Sequence, residues 1–142
     1  FDYRINLPEM VYIDDYAHHP EEIRACVNAV RELYPERKIT GIFQPHLYTR
    51  TRDFADDFAC SLDLLDDVIL LDIYPARELP IEDVSSEIIL EKMKGKSKIL
   101  CSKDELLDII TEKEPEIILT LGAGDIDQMV EPIERLLLEK YA

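Results

Sequence analysis

A chain of 142 residues with 46% hydrophobic side chains can close one core with little left for a second, so a single domain spanning residues 1–142 is expected. Its formal net charge of −15 opposes phosphate backbones and anionic bilayers, which argues against nucleic acid and membrane as partners. Cys26, Cys60 and Cys101 are odd in number and far apart, arguing against a disulfide framework or a zinc knuckle and fitting a reducing cytoplasm. No apolar run approaches the roughly 18 residues that span a bilayer, and no basic-then-apolar leader precedes Phe1. The missing initiating Met suggests a piece cut from a longer protein.

Short apolar runs alternate with segments of helical periodicity along the chain. Phe1 to Leu7 reads as an edge strand and Val11 to Asp14 as the first central one. Ile23, Cys26, Val27 and Val30 then form a helical stripe that faces a core by its spacing. Ile39 to Phe43 is the next strand, and Phe54, Phe58, Leu62 and Leu65 make a second stripe, read as one helix. Val68 to Asp72 is continuously apolar up to its last residue, as a buried parallel strand is. Ile88, Ile89 and Met93 suggest a short helix after Ser85 and Ser86; Ile99 to Cys101 is a strand, and Leu106, Leu107 and Ile110 a helical stripe. Ile117 to Leu121 closes the strands, and a last helix is expected to start near Pro132, with Ile133, Leu136 and Leu137 inward. The pattern predicts an α/β, Rossmann-like, open and mostly parallel sheet of about five to six strands with helices on both faces.

In such a sheet ligands bind beyond the carboxyl ends of the strands, and all three histidines fall there. The turn Asp14-Asp15-Tyr16-Ala17-His18-His19-Pro20 opens a helix whose free N–H groups suit an anion, while the aspartates suit hydroxyls or a metal and the imidazoles suit phosphate or carboxylate oxygens. The alternative is a turn capped by Asp15 with solvated histidines. The second turn sets Arg50 and Arg52 beside His46, with Thr49 or Thr51 available as a helix cap. Arg50 suits an anion clamp; the alternative is an ion pair to Asp53, Asp56 or Asp57, which fits Arg52 better. A third turn, Asp72 to Glu78, brings Tyr74 or Arg77 to the rim, and Gly122-Ala123-Gly124-Asp125 ends the last strand. The Walker phosphate-loop motif is absent. Lys92, Lys94, Lys96 and Lys98 read as a solvated rim.

Together these motifs resemble the C-terminal domain of the Mur ligases: DDYAHHP at 14–20, FQPHLYTRTR at 43–52, DIYPARE at 72–78 and GAGDI at 122–126. The resemblance covers nearly the whole chain. It implies the third domain of a cytoplasmic three-domain enzyme of peptidoglycan synthesis, which uses ATP and Mg²⁺ to join L-alanine to the carboxylate of UDP-N-acetylmuramate through an acyl phosphate. It further implies that the metal and the ATP phosphates sit mainly on a central domain, with this chain's partners being its own central and N-terminal domains. By the same resemblance Asp15 binds the nucleotide ribose, His18 and His46 face the acyl phosphate as catalytic groups, and Arg50, His19 and Tyr16 bind substrate, Arg50 taking the L-alanine carboxylate. No metal ligand is assigned to this chain, and the fragment alone is expected to form no amide.

The chain departs from the family pattern at Leu47, where an arginine is common. Either Arg50 alone then holds the carboxylate, or Arg52 or Arg77 adds a second fork, and selectivity against glycine and serine is open. Other readings of the same residues are a sister ligase using another amino acid, a receiver domain, whose aspartates would be Asp14, Asp15 and Asp72 but whose lysine after the last strand is missing, and a non-catalytic nucleotide-binding module.

Overall fold

The computed structural model describes residues 1–141. Its elements in chain order are β1 (Asp2–Asn6), β2 (Val11–Asp15), α1 (Pro20–Leu33), β3 (Ile39–Phe43), α2 (Tyr48–Asp53), α3 (Ala55–Leu62), β4 (Asp67–Leu71), α4 (Glu87–Lys92), β5 (Lys98–Cys101), α5 (Lys103–Lys113), β6 (Ile117–Leu121) and α6 (Asp127–Tyr141). The strands make one sheet in the order β1-β2-β6-β3-β4-β5. All neighbours are parallel except β1, which runs antiparallel along the edge of β2. This is the α/β sheet expected from the alternation of runs, with six strands.

Period-two alternation splits the apolar side chains of each strand between two layers. Val11, Ile13, Ile39, Phe43, Val68, Leu70, Ile117, Leu119 and Leu121 pack with the buried faces of α1, α3 and α4. Tyr12, Ile42, Ile69, Leu71 and Ile118 pack on the opposite face with α5 and α6. Phe43 and Phe58 anchor the first layer with ring centroids 5.3 Å apart. Burying either of two such side chains contributes about 1.5–3 kcal/mol.

Three details differ from the expectations. The stripe from Phe54 to Leu65 outruns its helix: α3 covers only Ala55–Leu62, Phe54 is its cap residue at φ −118°, ψ 20° and remains 43% exposed, and Leu65 lies beyond its end although it is buried with Phe58 and Leu62. Pro132 lies inside α6, whose first turn is already closed by Gln128 and Met129 N–H donating to the Asp125 and Ile126 carbonyls. The helix therefore starts five residues before the proline and forgoes the one N–H that Pro132 lacks. Neither Thr49 nor Thr51 caps α2: Leu47 occupies the cap position at φ 73°, the Thr51 hydroxyl donates back to the Leu47 carbonyl, and the Thr49 hydroxyl donates to Glu78.

Adjacent strands β2 and β6 send their following helices to opposite faces, α1 to one layer and α6 to the other. Their loops part at the carboxyl ends of the strands and open a crevice there.

Candidate functional site

Pro20 starts α1, and the helix is tied down from within: the Glu22 carboxylate accepts the backbone N–H groups of His18 and His19, both at 3.1 Å. Those hydrogen bonds hold the Glu22 carboxyl below its ordinary range. Asp15 accepts the Ala17 N–H at 2.9 Å through one carboxylate oxygen, so it does cap a turn. The turn is thereby rigid, and His18 and Tyr16 project from it with rings 5.3 Å apart, Tyr16 being 70% exposed. The His18 Nδ1–H donates to the Tyr16 carbonyl at 3.0 Å, because a carbonyl only accepts. This leaves Nε2 of His18 as the free ring atom.

The second turn meets the first. His18 and His46 lie perpendicular with centroids 6.1 Å apart, His19 packs on His18 at 4.7 Å, and Tyr74 stacks nearly parallel on His46 at 5.7 Å. An Arg50 guanidinium N–H reaches His46 Nδ1 at 3.0 Å. Guanidinium only donates, so Nδ1 must accept and the proton of neutral His46 sits on Nε2. Burial, then the Arg50 charge and then His18 push the His46 pKa below its ordinary value, which keeps that neutral tautomer near pH 7. Arg52 instead pairs with Asp53 at 2.9 Å in solvent. Arg50 makes no ion pair among the described residues, so its remaining N–H groups are available to an anion.

Of the residues expected at the site, His18, His19, His46, Arg50 and Tyr16 form one continuous surface. Asp15 is on the same turn but lines a neighbouring open depression of about 420 Å³ with Tyr16, Glu22 and Cys26. Arg77 is exposed on its loop. A second cavity, about 260 Å³, lies over the ends of β4 and β5 and is lined by Gln44, Tyr74, Ser102, Lys103 and Asp125 among others. Lys103 pairs with Asp125 at 2.5 Å, and Gln44 donates to Asp125 at 2.6 Å and accepts the Ile126 N–H at 2.9 Å. Burial alone would raise the Asp125 carboxyl; Lys103 and Gln44 hold it below its ordinary value instead. Lys103 was missed by the sequence reading, although Ser102-Lys103-Asp104-Glu105 carries the Ser-x-x-Glu signature of a helix start after a strand.

Ligand atoms of His18, His19 and Glu22 lie within 4.8 Å of one another. Two of the three are imidazoles, a poor set for Mg²⁺, which takes oxygen ligands. None of the described helices is long and apolar enough to cross a membrane.

The family model for "Mur ligase, glutamate ligase domain" matches residues 4–124. The chain belongs to this family. It is 58% identical over 99% of its length to the UDP-N-acetylmuramate–L-alanine ligase of Parabacteroides distasonis and 54% identical over 99% to that of Flavobacterium psychrophilum. Among solved structures, a UDP-N-acetylmuramate–alanine ligase from Thermotoga maritima superposes with a TM-score of 0.73 at 32% identity, over 99% of this chain and 29% of that one. The Mur ligase domain spans about 30% of the length of the curated relatives it matches. A murein peptide ligase from Psychrobacter arcticus, 18% identical with a TM-score of 0.76, shares the fold.

Proposed function

We propose that this Mur ligase domain is the C-terminal part of a cytoplasmic, ATP-dependent UDP-N-acetylmuramate–L-alanine ligase. The observation that carries the reading is the 58% identity, over 99% of the chain, to a protein of that name. The crevice supports it chemically. In the proposed reaction ATP phosphorylates the muramoyl carboxylate, the L-alanine amine attacks the acyl phosphate, and the tetrahedral intermediate collapses to the amide with release of phosphate. Mg²⁺ and the ATP phosphates are assigned to a central domain, because this chain has no phosphate loop and an imidazole-rich crevice.

Arg50, propped on His46 by one N–H, presents the rest of its fork to the L-alanine carboxylate. His46, neutral and protonated at Nε2, donates to oxygen as charge develops on the acyl centre, which stabilises the transition state more than the ground state. His18, its ring perpendicular to that of His46, contributes Nε2 to the same space. Tyr16 and His19 line the approach as substrate contacts. Asp15 Oδ1 is committed to Ala17, so Oδ2 is the oxygen proposed for a ribose hydroxyl. With Arg52 engaged by Asp53 and Leu47 uncharged, Arg50 carries the carboxylate contact alone.

The proposed phosphate- and sugar-binding machinery lies outside this chain, so the isolated domain is expected to form no amide. The test restores the upstream coding sequence and follows phosphate release from ATP with UDP-N-acetylmuramate, offering L-alanine, glycine or L-serine, in wild type and Arg50→Ala. Release that needs both substrates, favours L-alanine and loses about 100-fold in kcat/KM in the variant, as removal of a charge-assisted contact of about 3 kcal/mol does, upholds the reading. Preference for another amino acid moves the chain to a sister ligase, and release by the isolated domain refutes the division of labour.

A further inference from the structure

Helix α2 is six residues long, far too short to hold its own shape, yet it carries Arg50. Its first turn contains no acidic residue and its cap, Leu47, offers no side-chain acceptor. The acceptor comes from another loop. Glu78, 29 residues away, takes the Thr49 N–H on one carboxylate oxygen at 3.1 Å and the Thr49 hydroxyl on the other at 2.5 Å. The Thr49 hydroxyl holds the Glu78 carboxyl below its ordinary range, as expected for a carboxylate at a helix N-terminus. The same loop grips the preceding residues. Tyr74 N–H donates to the Pro45 carbonyl at 2.8 Å, Leu47 N–H donates to the Tyr74 carbonyl at 2.9 Å, and the Tyr74 ring stacks on His46. Glu78 is itself anchored by its N–H to the Pro75 carbonyl at 2.9 Å.

We propose that Glu78 is a positioning residue for the His46–Arg50 pair: it caps α2 in trans through Thr49 and so sets where the Arg50 fork points. The residue adjoining Thr49 is Arg50, and one helical turn back from Arg50 is His46, so loss of the cap frees the guanidinium from Nδ1. The charged and titratable groups facing His46 are Arg50, His18, Glu78 and the stacked Tyr74, and the first and third make the test one of sign. The Glu78 carboxylate by itself raises the His46 pKa, whereas Arg50 lowers it. If Glu78 acted only through its charge, Glu78→Ala would lower the His46 midpoint; if it places Arg50, the midpoint rises toward 6.5 as the guanidinium withdraws.

The experiment is a side-chain ¹⁵N NMR titration of His46 in this chain, for wild type, Glu78→Ala and Glu78→Asp, with Thr49→Val as the milder variant should Glu78→Ala fail to fold. Expected are an Nε2–H tautomer in wild type, tautomer mixing with an upward midpoint in Glu78→Ala, and partial recovery in Glu78→Asp. A midpoint that falls or stays, with the wild-type tautomer kept, overturns the proposal. A kinetic arm in the restored full-length enzyme rests on the ligase reading: Glu78→Ala raises the amino-acid KM about tenfold, a displacement of less than 1 Å being enough, and kcat changes less. An unchanged KM in a ligating enzyme overturns the positioning role. Absence of ligation in wild type overturns the ligase reading instead and leaves the titration to decide on Glu78.

Discussion

Replacing Gly124 with alanine tests whether the loop after β6 and the loop after β4 are one packed unit. A Cβ on Gly124 would lie 2.5 Å from Gln44 Oε1 and 2.6 and 2.7 Å from Tyr74 Cβ and Cγ, against a comfortable carbon separation of about 3.5–4.0 Å. Tyr74 cannot step aside cheaply, because its backbone is bonded to Pro45 and Leu47 and its ring is stacked on His46. Nor can Gln44, which joins Asp125 to the start of α6. Overpacking of this kind costs about 1–3 kcal/mol, offset by about 0.4–1 kcal/mol from the stiffer unfolded chain. The net loss is about 1–2 kcal/mol, or about 3–7 °C in Tm for a domain of this size. Circular dichroism melting of Gly124→Ala reads it directly. Gly95→Ala is the control, since its Cβ would meet only Asp63 Oδ1, at 3.2 Å on the surface, and its Tm should hold within about 2 °C. A fall below 1 °C in Gly124→Ala with an unchanged His46 NMR signal would refute the argument that these loops are locked together.

Beneath the first turn, a buried relay runs from the Tyr12 hydroxyl to Thr120 at 3.1 Å and from the Thr120 hydroxyl to Asp14 at 2.7 Å. Thr120→Val leaves the buried Tyr12 hydroxyl unpartnered and is expected to cost about 1–3 kcal/mol in urea unfolding; Thr120→Ser should restore most of it, and equal losses would count against the relay. His46 should titrate below 6.5, its pKa held down first by burial and then by Arg50, and Arg50→Ala should move it upward in the same NMR titration. The unfolded chain binds this proton near 6.5 while the folded chain refuses it until lower pH, so the His46 contribution is whole above 6.5 and is lost as pH falls toward the folded midpoint. Urea unfolding at pH 7.5, 6.5 and 5.5 should therefore show wild type losing more stability on acidification than His46→Gln, and parallel curves would refute the assignment.

The strand and helix pattern was legible because each run obeys a local rule. Ile117 to Leu121 is apolar but for Thr120 since β6 lies between β2 and β3 with helices over both faces, and the site turns announced themselves by clustering His, Asp and Arg at strand ends. The breaks were less visible. Phe54 has the spacing of a core residue and is nonetheless exposed, and Pro132 looks like a helix start although tertiary packing of Val130 and Ile133 carries the helix through it.

What the sequence by itself determined is the alternation of burial, the two parallel layers it builds, and the placement of His18, His46 and Arg50 at the strand ends, because periodicity and side-chain type are properties of neighbouring residues. Only the tertiary structure decided which groups share a proton or a cap. The tautomer of His46 depends on Arg50 bending back to Nδ1, the capping of α2 on Glu78, and the rigidity of the last loop on Lys103, Asp125 and Gln44. Apart from His46 and Arg50, one turn apart, these pairs lie 22 to 81 residues apart, and their geometry comes into being when the sheet brings the ends of β3, β4, β5 and β6 side by side.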